Sequence, residues 1–191
     1  MKNNLEYVVR QEFLDPDEVS LLSSFFNAAY DDANDAEKPH ANVLQVNGDK
    51  VVSSKVLGSV SKKIETYFTD QLGVTGICLA KCWLVKSEPK DTDPTKLPYL
   101  PHFDKHRYLK AMIYLHDVVE DHGPIHFGKL LMPSDIELRR KGLPANYKEL
   151  GLNTVKTSEM ISGIEPVLGK AGDVIFFDTN TAHCSGIVSK G

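Results

Sequence analysis

His102-Phe-Asp104, and far downstream Gly172-Asp-Val-Ile-Phe-Phe-Asp-Thr-Asn-Thr-Ala-His183, are the stretches whose reading decides the fold. In an extended strand, residues i and i+2 point the same way. His102 and Asp104 can therefore reach one ion while Phe103 turns to the other side. The third ligand must come from a different strand, and His183 suits that role. Val174-Ile-Phe-Phe177 is a short apolar run of β-formers after a Gly-Asp turn, which puts His183 near the start of the next strand, beyond a turn at Asp178 to Thr181. Two imidazoles and one carboxylate on one face of a metal leave the opposite face open, an arrangement suited to ferrous iron in oxygen-activating enzymes. The predicted metal-binding and catalytic residues are thus His102, Asp104 and His183. An HxD alone recurs by chance; its pairing with GDVIFFD and a distal His, in this order and in a β-rich half, is far more specific.

The rest of the chain supplies strands and helices around these motifs. From Ile77 onward the signals are for strands: Ile77 to Val85, Tyr108 to Leu115, Ile125 to Phe127, Val167 to Leu168, Val174 to Phe177 and the segment around His183. Earlier, Asp15-Pro-Asp-Glu offers a carboxylate cap, a proline in the first turn and acidic residues near a helix start. Val19, Leu21, Leu22, Phe25 and Phe26 follow at helical spacing. A second helix is predicted over about Ser53 to Gln71, with Val56, Leu57, Val60, Ile64, Tyr67 and Phe68 on one face. Both should pack outside the sheet. The loop Ser87 to Pro101 carries four prolines and leads into His102, so it reads either as a substrate lid or as a plain surface connection. The charged segment Ser134 to Gly163 reads as an insertion covering the barrel mouth.

Composition bounds the class. The 191 residues, 41% hydrophobic and 25% charged, suit one domain over residues 1–191 with a sizeable core. A net charge of -4 argues against a general nucleic-acid or anionic-membrane binder. No apolar run approaches the roughly 18 residues that span a bilayer, and Met1-Lys-Asn-Asn-Leu-Glu lacks the apolar core of a secretory signal, so a cytoplasmic site is expected. The three cysteines agree. Cys78 and Cys82 share one face of a predicted strand, but about 13 Å apart, too far for a disulfide, so they read as small buried apolar groups, while Cys184, next to a predicted ligand, reads either as packing or as tuning the site.

With these residues in view, the chain resembles the Fe(II)/2-oxoglutarate-dependent oxygenases, and within them the phytanoyl-CoA dioxygenase-like branch. The resemblance rests on His102 and Asp104, Tyr114-Leu-His-Asp-Val-Val-Glu-Asp-His-Gly-Pro124, Met132-Pro133-Ser134, and Gly172-Asp173 through His183-Cys-Ser-Gly186. The opening Tyr7-Val-Val-Arg-Gln-Glu-Phe-Leu-Asp-Pro-Asp-Glu-Val19, read as strand, aromatic-Leu step and helix, is similar too. It implies a mainly β fold with flanking α-helices, a double-stranded β-helix of the jelly-roll or cupin-like kind. It further implies Fe(II), 2-oxoglutarate and O2 as cofactors and hydroxylation of a small-molecule substrate. Asp104 favours hydroxylation over the related halogenation, for which the resemblance implies Gly or Ala there.

The co-substrate's far carboxylate needs a basic partner, because a buried unpaired carboxylate is costly. The family pattern places an Arg, sometimes a Lys, about nine to eleven residues after the distal His, and the sequence stops at Gly191. Either the chain is truncated just before that residue and the last strand, or another base serves. Ending in mid-motif favours the first. The candidates for the second are Lys81, Lys110 and Lys190, with Arg107 beside a strand and Tyr114 adding a hydroxyl. His106, His116, His122 and His126 fit no recurrent zinc spacing and read as surface or satisfied histidines. His40 sits in a polar loop. The alternative to an enzyme is a non-catalytic, metal-holding jelly roll that serves as a binding module.

Overall fold

The structure, a computed structural model, describes residues 7–34, 43–91, 93–95, 97–130, 142, 145–146, 149, 151, 154 and 163–190. The chain groups into two compact units, one built on Leu14–Asp91 and the other joining Lys2–Phe13 to Thr92–Gly191. All α-helices among the described residues lie in the first unit, and every residue of the predicted metal triad lies in the second. No helix among the described residues is long and apolar enough to cross a membrane.

In the first unit α1 (Pro16–Asp32) starts as its sequence dictates. The Asp15 carboxylate accepts the Glu18 N–H at 2.8 Å, and the Glu18 carboxylate accepts the Asp15 N–H at 3.0 Å. This capping box, with Pro16 in the first turn, satisfies amides that the helix itself leaves unpaired. The second predicted helix is α3 (Lys55–Asp70), and a short helix that the sequence reading did not give, α2 (Gly48–Ser53), precedes it. Ser54 takes an extended backbone between them, and its hydroxyl caps α3 by accepting the Leu57 N–H at 3.3 Å. Leu57, Val60 and Phe68 are buried on α3. The strand expected from Ile77 begins only at Lys81. It is β3 (Lys81–Val85), paired antiparallel with β2 (Val43–Asn47), a five-residue strand whose polar surroundings hid it. Cys78 therefore lies off the strand and is exposed, not buried as expected. Cys82 is half-buried, and burial pushes its thiol up to about 11.

The second unit holds two three-stranded antiparallel sheets. One orders β1 (Tyr7–Arg10), β7 (Val174–Asp178) and β4 (Leu109–Ile113), with β7 in the middle. The other orders β6 (Glu165–Pro166), β5 (Ile125–Leu130) and β8 (Thr181–Ser185). Every residue of β7 is buried, which is why the run reads as continuously apolar instead of alternating. Alternation still decides direction. Ile175 and Phe177 lie on one face, in register with Val9 and Met112 for Ile175 and with Tyr7 and Lys110 for Phe177. Ile175 and Phe177 pack into one cluster with Ile125 and Phe127 of the second sheet and with Tyr114, Val118 and Val167. The core is thus the layer between the two sheets.

Gly172, at φ +92°, makes the turn into β7. The next residue, Asp173, is buried and accepts the Glu12 and Lys170 N–H groups at 2.9 and 2.8 Å. The Gly-Asp pair is therefore turn and anchor together. The strand expected at Val167 and Leu168 is assigned two residues earlier, at β6, although the Val167 N–H still donates to Ile125 O at 2.8 Å. Met132-Pro133-Ser134, most of the Ser134 to Gly163 segment, and His40 fall outside the described residues.

Candidate metal centre

His102 and His183 are brought together by the backbone. The His102 N–H donates to His183 O at 2.9 Å and the His183 N–H donates to His102 O at 2.8 Å. They form a directly opposed antiparallel pair. Opposed residues project to the same face, and the ring centroids stand 4.7 Å apart. Asp104, two residues beyond His102, joins them. Ligand atoms of His102, Asp104 and His183 all lie within 4.8 Å of one another. Among the described residues no other group of three or more such side chains meets this condition.

Each ring is oriented by its own chain. His102 donates from Nδ1 to Leu100 O at 2.7 Å, and His183 donates from Nδ1 to Thr181 O at 2.8 Å. Both acceptors sit two residues upstream. Committing Nδ1–H to a carbonyl leaves the lone pair on Nε2, the usual way a metal-binding histidine is held in its tautomer. The electrostatics agree. Burial, and then the charge of His102, push His183 down to about 4, although Asp104 acts in the opposite direction. The imidazole is therefore neutral at ordinary pH. Burial would raise the Asp104 carboxyl, but the Lys110 ammonium, through its charge and hydrogen bond, more than reverses this and holds it below its usual range. A preformed anion beside the neutral His183 imidazole and the His102 ring, whose Nε2 is left as the free nitrogen, fits a divalent cation, whose ligands must be deprotonated to bind.

The depressed His183 value has a consequence for stability. A base whose folded pKa lies below its unfolded value binds protons more readily when unfolded, so stability falls as pH drops. In chelator-treated protein the contribution is complete above about pH 6.5 and is lost towards pH 4, by up to about 3 kcal/mol. Urea unfolding between pH 7.5 and 4.5 should show a shallower decline in His183→Leu than in the wild type. Parallel declines would remove His183 as the source.

The four candidate co-substrate residues occupy different places. Lys110, on β4 opposite Phe177, reaches Asp104 Oδ2 at 2.6 Å. Tyr114 is buried; its hydroxyl donates to Val167 O at 2.7 Å and accepts the Ile125 N–H at 3.3 Å. Burial pushes that phenol up to about 12. Its bonds go to main chain at the core. Lys81 lies in the first unit and donates to Gln45 at 3.3 Å, and Lys190 is an exposed ion pair with Asp121 at 2.6 Å. The structure thus joins only Lys110, of these four, directly to a triad member. Arg107 is paired with Asp178.

His116, His122 and His126 have local main-chain partners. His116 and His122 both donate from Nδ1 to Asp117 O at 2.9 Å, and His126 donates to Pro124 O at 2.9 Å. Sequence reasoning missed the partners that aim the ligands, because an acceptor two residues upstream is a main-chain atom with no side-chain signature. It also missed the pair between Arg107 and Asp178. A charged residue closing an apolar run was the available signal.

The Pro-rich loop is tied down at its far end. The Ser185 N–H donates to Pro98 O at 3.0 Å, two residues before Leu100, the acceptor for His102. Thr154 also forms an isolated bridge with His102, on the side away from His183 in the pairing order.

No protein-family model matches this chain, and no curated protein does. Solved structures do. The chain is similar to the non-heme alpha ketoglutarate dependent epimerase SnoN from nogalamycin biosynthesis, with a TM-score of 0.62 at 17% identity over 97% of this chain and 73% of that one. It is likewise similar to the epimerase SnoN in complex with Fe3+, alpha ketoglutarate and nogalamycin RO, with a TM-score of 0.60 at 16% identity over 97% and 74% of the two chains. The likeness is one of fold. It spans both motif regions.

Proposed function

We propose that this protein is an Fe(II)- and 2-oxoglutarate-dependent oxygenase acting on a small molecule, built on a double-stranded β-helix, with His102, Asp104 and His183 as the metal ligands. The observation that carries the reading is the triad itself. Two rings with committed Nδ1–H groups and one ionised carboxylate converge from separate segments, and the fold is shared with SnoN, solved in complex with Fe3+ and alpha ketoglutarate. Bound iron supplies a Lewis-acidic, redox-active centre for O2 and the co-substrate. The chain's part is to hold His102 Nε2, His183 Nε2 and an Asp104 oxygen on one face, and to line the site with Phe127 and Phe177 so that water is excluded.

Lys110 is the residue proposed to receive the far carboxylate of 2-oxoglutarate. It lies in the site and is half-buried, where a charge-assisted bond is worth on the order of 1.5–3 kcal/mol. Lys110→Met should weaken 2-oxoglutarate binding by roughly 10- to 150-fold without weakening metal binding, since an ammonium repels a divalent ion. Isothermal titration of both ligands measures this. Unchanged 2-oxoglutarate affinity would move the role to another base.

The decisive test is production of succinate and CO2 from 2-oxoglutarate in the presence of Fe(II) and O2, even uncoupled from substrate. No turnover together with intact metal binding would favour the binding-module alternative. The kinship in fold with an epimerase raises a second outcome for the coupled reaction, inversion of a stereocentre. Hydroxylation adds one oxygen atom from O2 to the product and epimerisation adds none, so product mass after 18O2 labelling separates the two. A small-molecule substrate, a cytoplasmic site and membership in the phytanoyl-CoA dioxygenase-like branch complete the proposal.

A further inference from the structure

The segment Asp104–Tyr108 is fastened to the turn between β7 and β8 more tightly than a surface loop requires. Thr179 makes four of the bonds. Its hydroxyl accepts the Tyr108 N–H at 2.8 Å and donates to His106 O at 3.2 Å. Its own N–H donates to Tyr108 O at 3.0 Å, and its carbonyl accepts the Asp104 N–H at 3.4 Å. Beside it, Asp178 is fully buried at the end of an otherwise apolar strand. Arg107 meets Asp178 Oδ2 with Nε at 2.7 Å and with a terminal nitrogen at 2.5 Å, and Asp178 Oδ1 accepts the Asn180 N–H at 2.9 Å. Two residues beyond Thr179, Thr181 O orients the His183 ring.

One turn, Asp178–Thr181, therefore touches the backbone of Asp104 through Thr179 and the ring of His183 through Thr181. These are two ligands from separate stretches of chain, and their separation must be right to within a few tenths of an ångström for a metal to accept both. We infer that this turn, clasped by Arg107 on Asp178 and by the Thr179 hydroxyl, sets the distance between Asp104 and His183 and so tunes the metal site. Arg107, Asp178 and Thr179 are positioning residues; none is a ligand. Burial of Asp178 fits this role, because a buried carboxylate is kept only where its partners are satisfied and rigid.

The inference rests on the triad binding a metal, and the test separates the two claims. Co(II) serves as the probe, titrated into chelator-treated protein, with its visible absorption reporting coordination geometry. Wild-type protein that bound no Co(II) would overturn the metal reading and this inference together. With binding established, Thr179→Val, which keeps shape and removes the hydroxyl, and Arg107→Met should each raise the Co(II) Kd on the order of tenfold or more and alter the absorption band. Arg107→Lys should recover part of both. Val118→Ala, a core truncation outside the clasp, gives the comparison: it should lower Tm while leaving Kd and the band unchanged. If Arg107→Met does not fold, Thr179→Val decides alone. Wild-type Kd and spectrum in Thr179→Val, or equal changes in Val118→Ala, would overturn the positioning role.

Discussion

Asp104→Ala is expected to abolish 2-oxoglutarate turnover and to weaken Fe(II) binding by more than the roughly 10- to 100-fold that loss of an outer partner costs. Two effects add. The metal loses its one anionic ligand, and Lys110, whose ammonium is paired to Asp104 Oδ2 at 2.6 Å, stays beside the site without that carboxylate. A positive group beside the two imidazoles then repels the ion that the triad attracts. Asp104→Asn removes the charge but keeps a neutral oxygen donor; its metal affinity should fall between wild type and Asp104→Ala. The double variant Asp104→Ala/Lys110→Met should recover part of the metal affinity of Asp104→Ala by removing the repulsion. Titration of metal and measurement of succinate in the four proteins check this series. Full turnover in Asp104→Ala would sink the assigned role outright.

What was legible in the sequence, and what was not, follows from the range of the physics involved. The i, i+2 geometry of His102 and Asp104 is local. So is the continuous apolar run Val174–Phe177, whose burial on both faces predicts a central strand. The α1 capping box is written in four adjacent residues. The helix expected over Ser53 to Gln71 is α3, capped by Ser54, because its apolar spacing is local; α2 before it went unseen because six residues are too short to show a helical period. β2 went unseen because a short strand earns its place from its partner β3, and pairing between segments so far apart has no local signature. The site divides along the same line. The three ligands are recognisable by type and order, whereas Leu100 O and Thr181 O act as anonymous carbonyls. Lys110 was one lysine among several until register set it opposite Phe177, on the face that carries the core.

Phe177→Ala is the stability counterpart of the Asp104 experiment, with an expected cost of about 3–5 kcal/mol. Phe177 is 3% exposed and lies in the layer between the two sheets. It meets Phe127 edge-on at 4.9 Å and the His183 ring at 5.4 Å. Removing it takes away buried area, two aromatic contacts and the wall behind one ligand. Such a loss is a large share of the roughly 5–15 kcal/mol that holds a typical domain together. Phe177→Leu keeps most of the volume and should cost about 1.5 kcal/mol or less. A metal that binds only the folded protein stabilises it by about 2.7 kcal/mol at a hundredfold excess over Kd. Saturating Mn(II) should therefore restore much of the stability of Phe177→Ala, whose three ligands are intact, at the higher concentration its loosened His183 demands. The same metal should restore nothing in Asp104→Ala. If Phe177→Ala cost less than about 1 kcal/mol in urea unfolding, the two sheets would not share the core described for them. If Mn(II) rescued both variants equally, the stabilising ion would sit somewhere other than the triad.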